Sequence, residues 1–165
     1  MLLSGANTYT GATAINAGTL QLGAANRIPD TSAVTVAGGA TFDLNSFSEI
    51  VGSIAGAGNI TLGTATLTAG GNNTSTTFSG PLSGTGGLTK AGTGVLTLSG
   101  ANTYSGATTI NGGTLRAAGG NAIGDGSAVT LANAAGVSRS ARPERPDRTG
   151  SSAACRRPAL ARPWP

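Results

Sequence analysis

Histidine is absent from the 165 residues, and the single cysteine, Cys155, stands close to the C-terminus. Without these side chains, zinc sites and Cys/His or Ser/His catalysis are excluded. No G-x-x-x-x-G-K-[ST] run exists, so the chain has no phosphate-binding loop of that kind. No stretch of about 18 apolar residues occurs, so no membrane-spanning helix is encoded. Aromatic residues make up 4% of the chain and charged residues 10%. So few bulky side chains suit a solenoid, which buries one narrow strip per strand, better than a thick globular core.

The charge that is present is unevenly placed. Up to Val137 the cations are Arg27, Lys90 and Arg116, set against Asp30, Asp43, Glu49 and Asp125. From Ser138 onward seven Arg face only Glu144 and Asp147, and five of the seven Pro, Cys155 and Trp164 lie there too. The net +4 therefore belongs to the tail, and the body is near neutral.

What the chain has in abundance is glycine, 28 residues, together with Thr, Ser and Asn. From Gly86 to Leu115 it reads GGLTKAGTGVLTLSGANTYSGATTINGGTL. Apolar and polar residues alternate there, broken by Gly and Asn, as in short half-buried strands. The stretch recurs: LSGANTYTGATAINAGTL at Leu3 to Leu20 matches LSGANTYSGATTINGGTL at Leu98 to Leu115. Register persists beyond it, with Asn26 on Asn121, Ile28 on Ile123, Asp30 on Asp125 and the SAVT of Ser32 on that of Ser127. Roughly 22 of about 34 positions agree at an offset of about 95 residues, which makes this a true internal repeat.

The motif at Gly86 to Leu115 resembles the autotransporter-associated β-strand repeat, the passenger-associated transport repeat of Gram-negative autotransporters. Its second half covers Leu3 to Leu20. The resemblance implies an all-β, right-handed, single-stranded parallel β-helix carried to the cell surface. It also implies a parent β-barrel as partner, and no catalytic residue, cofactor or metal.

Between the copies, strands are expected at Ala33 to Val36, Thr41 to Leu44, Glu49 to Ile54, Asn59 to Leu62, Ala65 to Thr68 and Thr76 to Ser79. Such spacing also suits an antiparallel sandwich. The long repeat, the scarcity of large core residues and the Thr/Asn content favour the solenoid, with about six rungs over a rod near 30 Å at ~4.8 Å per rung. Rungs are expected from about Thr8 to Val137, with Ile15, Leu20, Ile60, Leu67, Leu96, Leu98, Ile110 and Leu115 facing inward. The chain is thus divided into a β-helical body at 1–137, with the motif at 3–36 and 86–131, and an Arg/Pro-rich tail at 138–165.

No residue is singled out for chemistry. Asp30 and Asp125 are register equivalents and read as turn residues. Asp43 and Glu49 are too few to argue from, and GGNAIGDG at Gly119 to Gly126 does not have the spacing of a calcium-binding nonapeptide. Lys90 is expected at an exposed strand edge, and Tyr9 and Tyr104 packed at a turn. The function class that follows is a structural stalk segment whose repeats assist outer-membrane passage and folding at the cell surface. An adhesin-like surface module is the alternative, and an enzyme a distant third. Neither a nucleic acid nor a small-molecule substrate is indicated.

The chain opens inside a strand of the repeat with no signal peptide before it, which reads as a gene fragment or a misplaced start. Uncapped ends of that kind favour weak stability and self-association through β edges. At the other end the repeat breaks at Val137. Reading across codon boundaries from Ser138 to Thr149, the genetic code permits L-D-L-x-G-L-S-D-x-I-G, which aligns with FDLNSFSEIVG at Phe42 to Gly52 after one inserted residue. A frameshift accounts for this, and a real basic linker or a nucleic-acid-binding tail are the lesser readings. The tail is expected to be disordered, and removing it should leave the rungs unchanged. The nucleotide sequence decides: stop codons in the shifted frame, or no Leu-Asp-Leu near codons 138–141, refute the frameshift.

Overall fold

A computed structural model of the chain describes residues 1–132, so the tail expectations lie outside the described residues. The described part is all-β, with sixteen short strands and no helix. They are β1 (Leu2–Leu3), β2 (Thr13–Ile15), β3 (Thr19–Leu22), β4 (Ala33–Val36), β5 (Thr41–Asp43), β6 (Glu49–Val51), β7 (Ser53–Gly56) and β8 (Asn59–Thr61). There follow β9 (Thr66–Ala69), β10 (Thr76–Phe78), β11 (Leu82–Ser83), β12 (Gly87–Lys90), β13 (Val95–Leu98), β14 (Thr108–Ile110), β15 (Thr114–Ala117) and β16 (Val129–Leu131).

Every strand pair is parallel, and pairing runs between successive turns of the chain. Three sheets result: sheet A in the order β1-β3-β5-β8-β11, sheet B in the order β2-β4-β7-β10-β13-β15, and sheet C in the order β6-β9-β12-β14-β16. A full rung passes through sheets B, A and C in turn, as in β4, β5 and β6. This is the parallel β-solenoid of about six turns that the repeat led us to expect, not the antiparallel sandwich.

Alternation along each strand aims one set of side chains inward, and stacking turns that set into columns. In sheet A one column is Leu20, Phe42, Ile60 and Leu82. In sheet B it is Ile15, Val36, Gly56, Phe78 and Leu98. Here the largest member, Phe78, is paired with the member that has no side chain, Gly56, and both Phe42 and Phe78 are fully buried. Seven of the eight residues expected to face inward are buried, and Leu115 is half-buried against the core.

Two expectations need correction. The run from Glu49 to Ile54 is two strands in two sheets, β6 and β7, because the chain turns a corner at Gly52. Lys90 is on no edge: β12 lies between β9 and β14, and the side chain is buried. Lys90 occupies an inward column of sheet C between Ala69 and Ile110. Its stem replaces an aliphatic residue there. Its Nζ donates to the carbonyls of Ala91, Gly92 (3.2 Å) and Gly112 (3.3 Å) at the next corner, one acceptor for each N–H. Burial pulls the pKa of this ammonium down. Polarity marked Lys90 as exposed, and the long apolar stem explains why it is not.

Corners are where glycine is needed. A Cβ added at Gly100 would strike the carbonyl of Gly80 in the rung before it, and one at Gly106 that of Gly86. Their repeat equivalents, Gly5 and Gly11, lie at the first rung of the stack and have nothing within 4 Å. Gly100→Ala or Gly106→Ala should therefore destabilise the stack by about 1–3 kcal/mol, whereas Gly5→Ala and Gly11→Ala should stay within ~0.5 kcal/mol of the parent. Denaturant unfolding of the four variants makes the comparison. Equal effects in both copies would mean that the glycines serve local turn geometry instead.

Candidate functional site

The chemically distinctive groups of the body lie at its corners, where strands are interrupted. In the second copy of the motif the turn from Asn102 to Thr108 crosses the place where sheet A would continue beyond β11. No strand forms there. Backbone bonds persist from Thr103 N to the carbonyl of Leu82 (2.9 Å) and from Asn102 N to that of Asn121 (2.8 Å). The Asn102 side chain supplies the rest: its Oδ1 accepts the N–H of Leu82 at 2.7 Å, and its Nδ2 donates to the carbonyl of Ala122. One buried amide, 2% exposed, thus bridges the rung before and the rung after, each 20 residues away. An amide can do this because it carries a donor and an acceptor in the same spacing as a peptide group.

A hydroxyl chain lies beside it. Tyr104 OH is 2.7 Å from Thr108 Oγ1, which is 2.8 Å from Ser127 Oγ, which donates to the carbonyl of Gly106 at 2.7 Å. A carbonyl only accepts and each hydroxyl has one proton, so the direction is fixed: Tyr104 donates to Thr108, Thr108 to Ser127, and Ser127 to Gly106. Such a head-to-tail chain strengthens each member. Tyr104 is fully buried, and this burial raises its pKa. Ser127 comes from the following rung, inserted into the turn that Tyr104 and Thr108 enclose.

The first copy builds the same arrangement. Tyr9 OH lies 2.6 Å from Thr13 Oγ1, which lies 2.9 Å from Ser32 Oγ, which donates to the carbonyl of Gly11 at 3.0 Å. Asn7 Nδ2 donates to the carbonyl of Arg27 at 2.8 Å, as Asn102 does to that of Ala122. Strand register agrees too, Leu2 pairing with Gln21 as Thr97 pairs with Arg116. The difference is exposure: Tyr9, at the first rung of the stack, is 38% exposed, and Tyr104, with rungs on both sides, is fully buried.

The two copies do not lie on the same face. Strands β1, β2 and β3 of the first belong to sheets A, B and A, and the corresponding β13, β14 and β15 of the second belong to sheets B, C and B. Between copies the chain completes four full rungs and two further faces. Closely similar sequence therefore forms the same turn and hydroxyl chain a third of a turn apart.

Glu49 is a second corner device. Its carboxylate is fully buried in an inward position of sheet C and accepts the N–H groups of Arg27 (3.0 Å) and Ile28 (2.8 Å). These belong to the preceding rung, where sheet C has no strand. Burial raises the pKa of Glu49, the N–H bonds pull it back only in part, and the charge of Asp30 adds to the rise. Asp30 and Asp125 both sit in turns, as expected. Asp43 accepts from Gln21 Nε2 (2.7 Å) and Asn45 N (2.8 Å) on the outer side of sheet A. Among the described residues no three of His, Cys, Asp and Glu gather closely enough to hold a metal ion.

Asn102, Thr108 and Ser127 were not singled out from the sequence, although all three recur in register. The available signal was a polar residue repeated at a position whose phase points inward, as Thr108 does between Leu88 and Val129.

The comparisons with known proteins agree with this geometry. The family model described as passenger-associated-transport-repeat matches residues 1–22 and 88–117. The adhesin BmaC autotransporter of Brucella suis biovar 1 (strain 1330) is 42% identical over 84 residues, which is 50% of this chain and 2% of that protein. The chain thus spans about 2% of the length of that relative. No solved structure matches.

Because the native state holds the Glu49 proton more tightly than the unfolded chain does, this group adds stability below the ordinary carboxylate value of 4.5 and loses it as pH rises through the raised native value. The stability difference between the parent and Glu49→Gln should therefore move in the parent's favour as pH falls from 7 toward 4.5. The other carboxylates are common to both proteins and cancel. A difference that does not change with pH would contradict this.

Proposed function

We propose that this chain, which carries two passenger-associated-transport-repeats of the autotransporter kind, is a segment of passenger stalk. Its stacked rungs extend a rod at the cell surface, and its repeats assist passage across the outer membrane and folding on the far side. The observation that carries this reading is the rotation between copies. A motif that bound a ligand in series would present the same face each time. This one is turned a third of the way round the shaft, while its contacts to neighbouring rungs are retained. What the two copies share is an inward function: holding one rung on the next.

The physics of a solenoid fits such a role. Each rung buries its core strip and pairs its backbone only against neighbours, so folding proceeds by addition of rungs to an existing stack. The described residues contain no cysteine, so no disulfide forms within them to obstruct threading in an oxidising compartment. The parent barrel, a partner in this reading, would supply the exit.

A second reading, adhesion, is favoured by the likeness to a protein named as an adhesin. It would look to the outer side of sheet B, where Ser75, Thr76, Thr77, Val95, Thr97 and Arg116 line a groove of about 320 Å³.

Surface display of the full chain fused to an autotransporter barrel separates the two. In the stalk reading, combining Asn102→Ala, Tyr104→Phe and Ser127→Ala should slow the arrival of protease-resistant passenger several-fold, and substitutions in the groove should not. Unchanged arrival, with saturable binding to host glycans or matrix proteins lost on Arg116→Ala, would favour adhesion.

A further inference from the structure

The matched residues hold only part of the hydrogen-bond network. The match at 88–117 includes Asn102, Tyr104, Gly106 and Thr108 but stops short of Ala122 and Ser127, and it begins after Leu82. The match at 1–22 likewise includes Asn7, Tyr9, Gly11 and Thr13 but not Arg27 or Ser32. In both copies the hydroxyl that closes the turn is delivered 19 residues after the threonine that donates to it. In both copies it returns to the carbonyl of the turn glycine.

We infer that the repeat is a two-part clamp: its turn is a receptor, and Ser127 (Ser32 in the first copy) is the specificity-determining residue of the rung that may stack on it. The inference rests on the stalk reading and names the partner within it, a following segment of this same chain that carries a hydroxyl at that position.

The chemistry is selective for three reasons. Thr108 is fully buried and points into a core column. Its proton has no described acceptor other than Ser127 Oγ, since Tyr104 takes the role of donor to it. An incoming rung with alanine at 127 would leave one proton of the Tyr104–Thr108 hydroxyl pair buried without an acceptor and the Gly106 carbonyl without this donor, at a penalty larger than a hydrogen bond is worth when made. Asn102 sets the same condition through the main chain, because its amide is satisfied on both sides only when the rungs of Leu82 and Ala122 are both stacked. The unit that works as a whole thus runs from Leu82 to Ser127, across three rungs.

The test is a double-mutant cycle on the full chain, with Tyr104→Phe and Ser127→Ala read by denaturant unfolding. Ser127→Ala should lower the folded-to-unfolded ratio roughly tenfold, and the double variant should fall short of the product of the singles by at least about threefold. Ser127→Thr, which keeps the hydroxyl, should stay near the parent, and Thr130→Ser on the outer side of β16, the strand that follows, should be neutral. If Ser127→Ala does not fold, the cycle is run on Tyr9 and Ser32, where the turn lies at the end of the stack and a coupling of the same sign is expected.

Additive effects, or a neutral Ser127→Ala, overturn the clamp. The surface-display measurement keeps this outcome apart from the stalk reading. Coupling with unchanged display upholds the clamp and removes the folding-assistance role. Absent coupling with slowed display removes the clamp and leaves that role standing.

Discussion

Every rung of this protein depends on the same constraint: a parallel strand has no partner within its own turn, so its backbone N–H and C=O groups must be met by the turns on either side. Where strands are continuous the ladder does this unaided, as from β4 through β7. Where the chain must bend or widen, the ladder fails and side chains replace it. Asn102 stands in for a peptide group beyond β11, and Glu49 receives two N–H groups from the preceding rung. Lys90 covers three carbonyls at a corner. These three are among the buried polar residues of an otherwise apolar column set, and each meets backbone groups that the ladder leaves over.

The same constraint explains the unusual composition. Rungs only one strand spacing apart leave no room at the corners for side chains directed along the stack, so glycine lies over backbone at Gly80, Gly100 and Gly106. The interior is a narrow shaft filled mainly by Leu, Ile, Val and Ala, with Phe42, Phe78 and Tyr104 as its large members. Threonine serves the outer side: in sheet C, Thr68, Thr89, Thr109 and Thr130 stack in register on four consecutive strands. Their β-branched shape suits an extended backbone, and their hydroxyls meet water.

Much of the fold is legible in the sequence. Strand positions followed from alternation and from glycine punctuation, and Ala33–Val36 is reproduced to the residue. The internal repeat led to stacking, and with it to the inward set from Ile15 to Ile110. What could not be read was the corner chemistry. A single glycine, Gly52, suffices to pass from one sheet to the next, and alternation has no symbol for a corner of that length. Lys90 and Glu49 were misplaced or passed over for one reason. Charge predicts exposure only when the backbone around a residue is already satisfied, and these two are buried because it is not. The hydroxyl chain was hidden in another way, its closing member Ser127 lying 19 residues after Thr108 and joined to it only once the rung length is known.

The third-of-a-turn offset between the copies has a geometric consequence for longer arrays. Repeats spaced like these two would trace a helical thread around the rod, returning to the first face at the fourth repeat. Sequence grafted at one position of successive repeats would project in three directions in turn, like steps on a spiral stair. A rod built this way has no preferred side for the motif. Its bending stiffness is evened out around the axis, so that no face is made systematically stronger or weaker than the others.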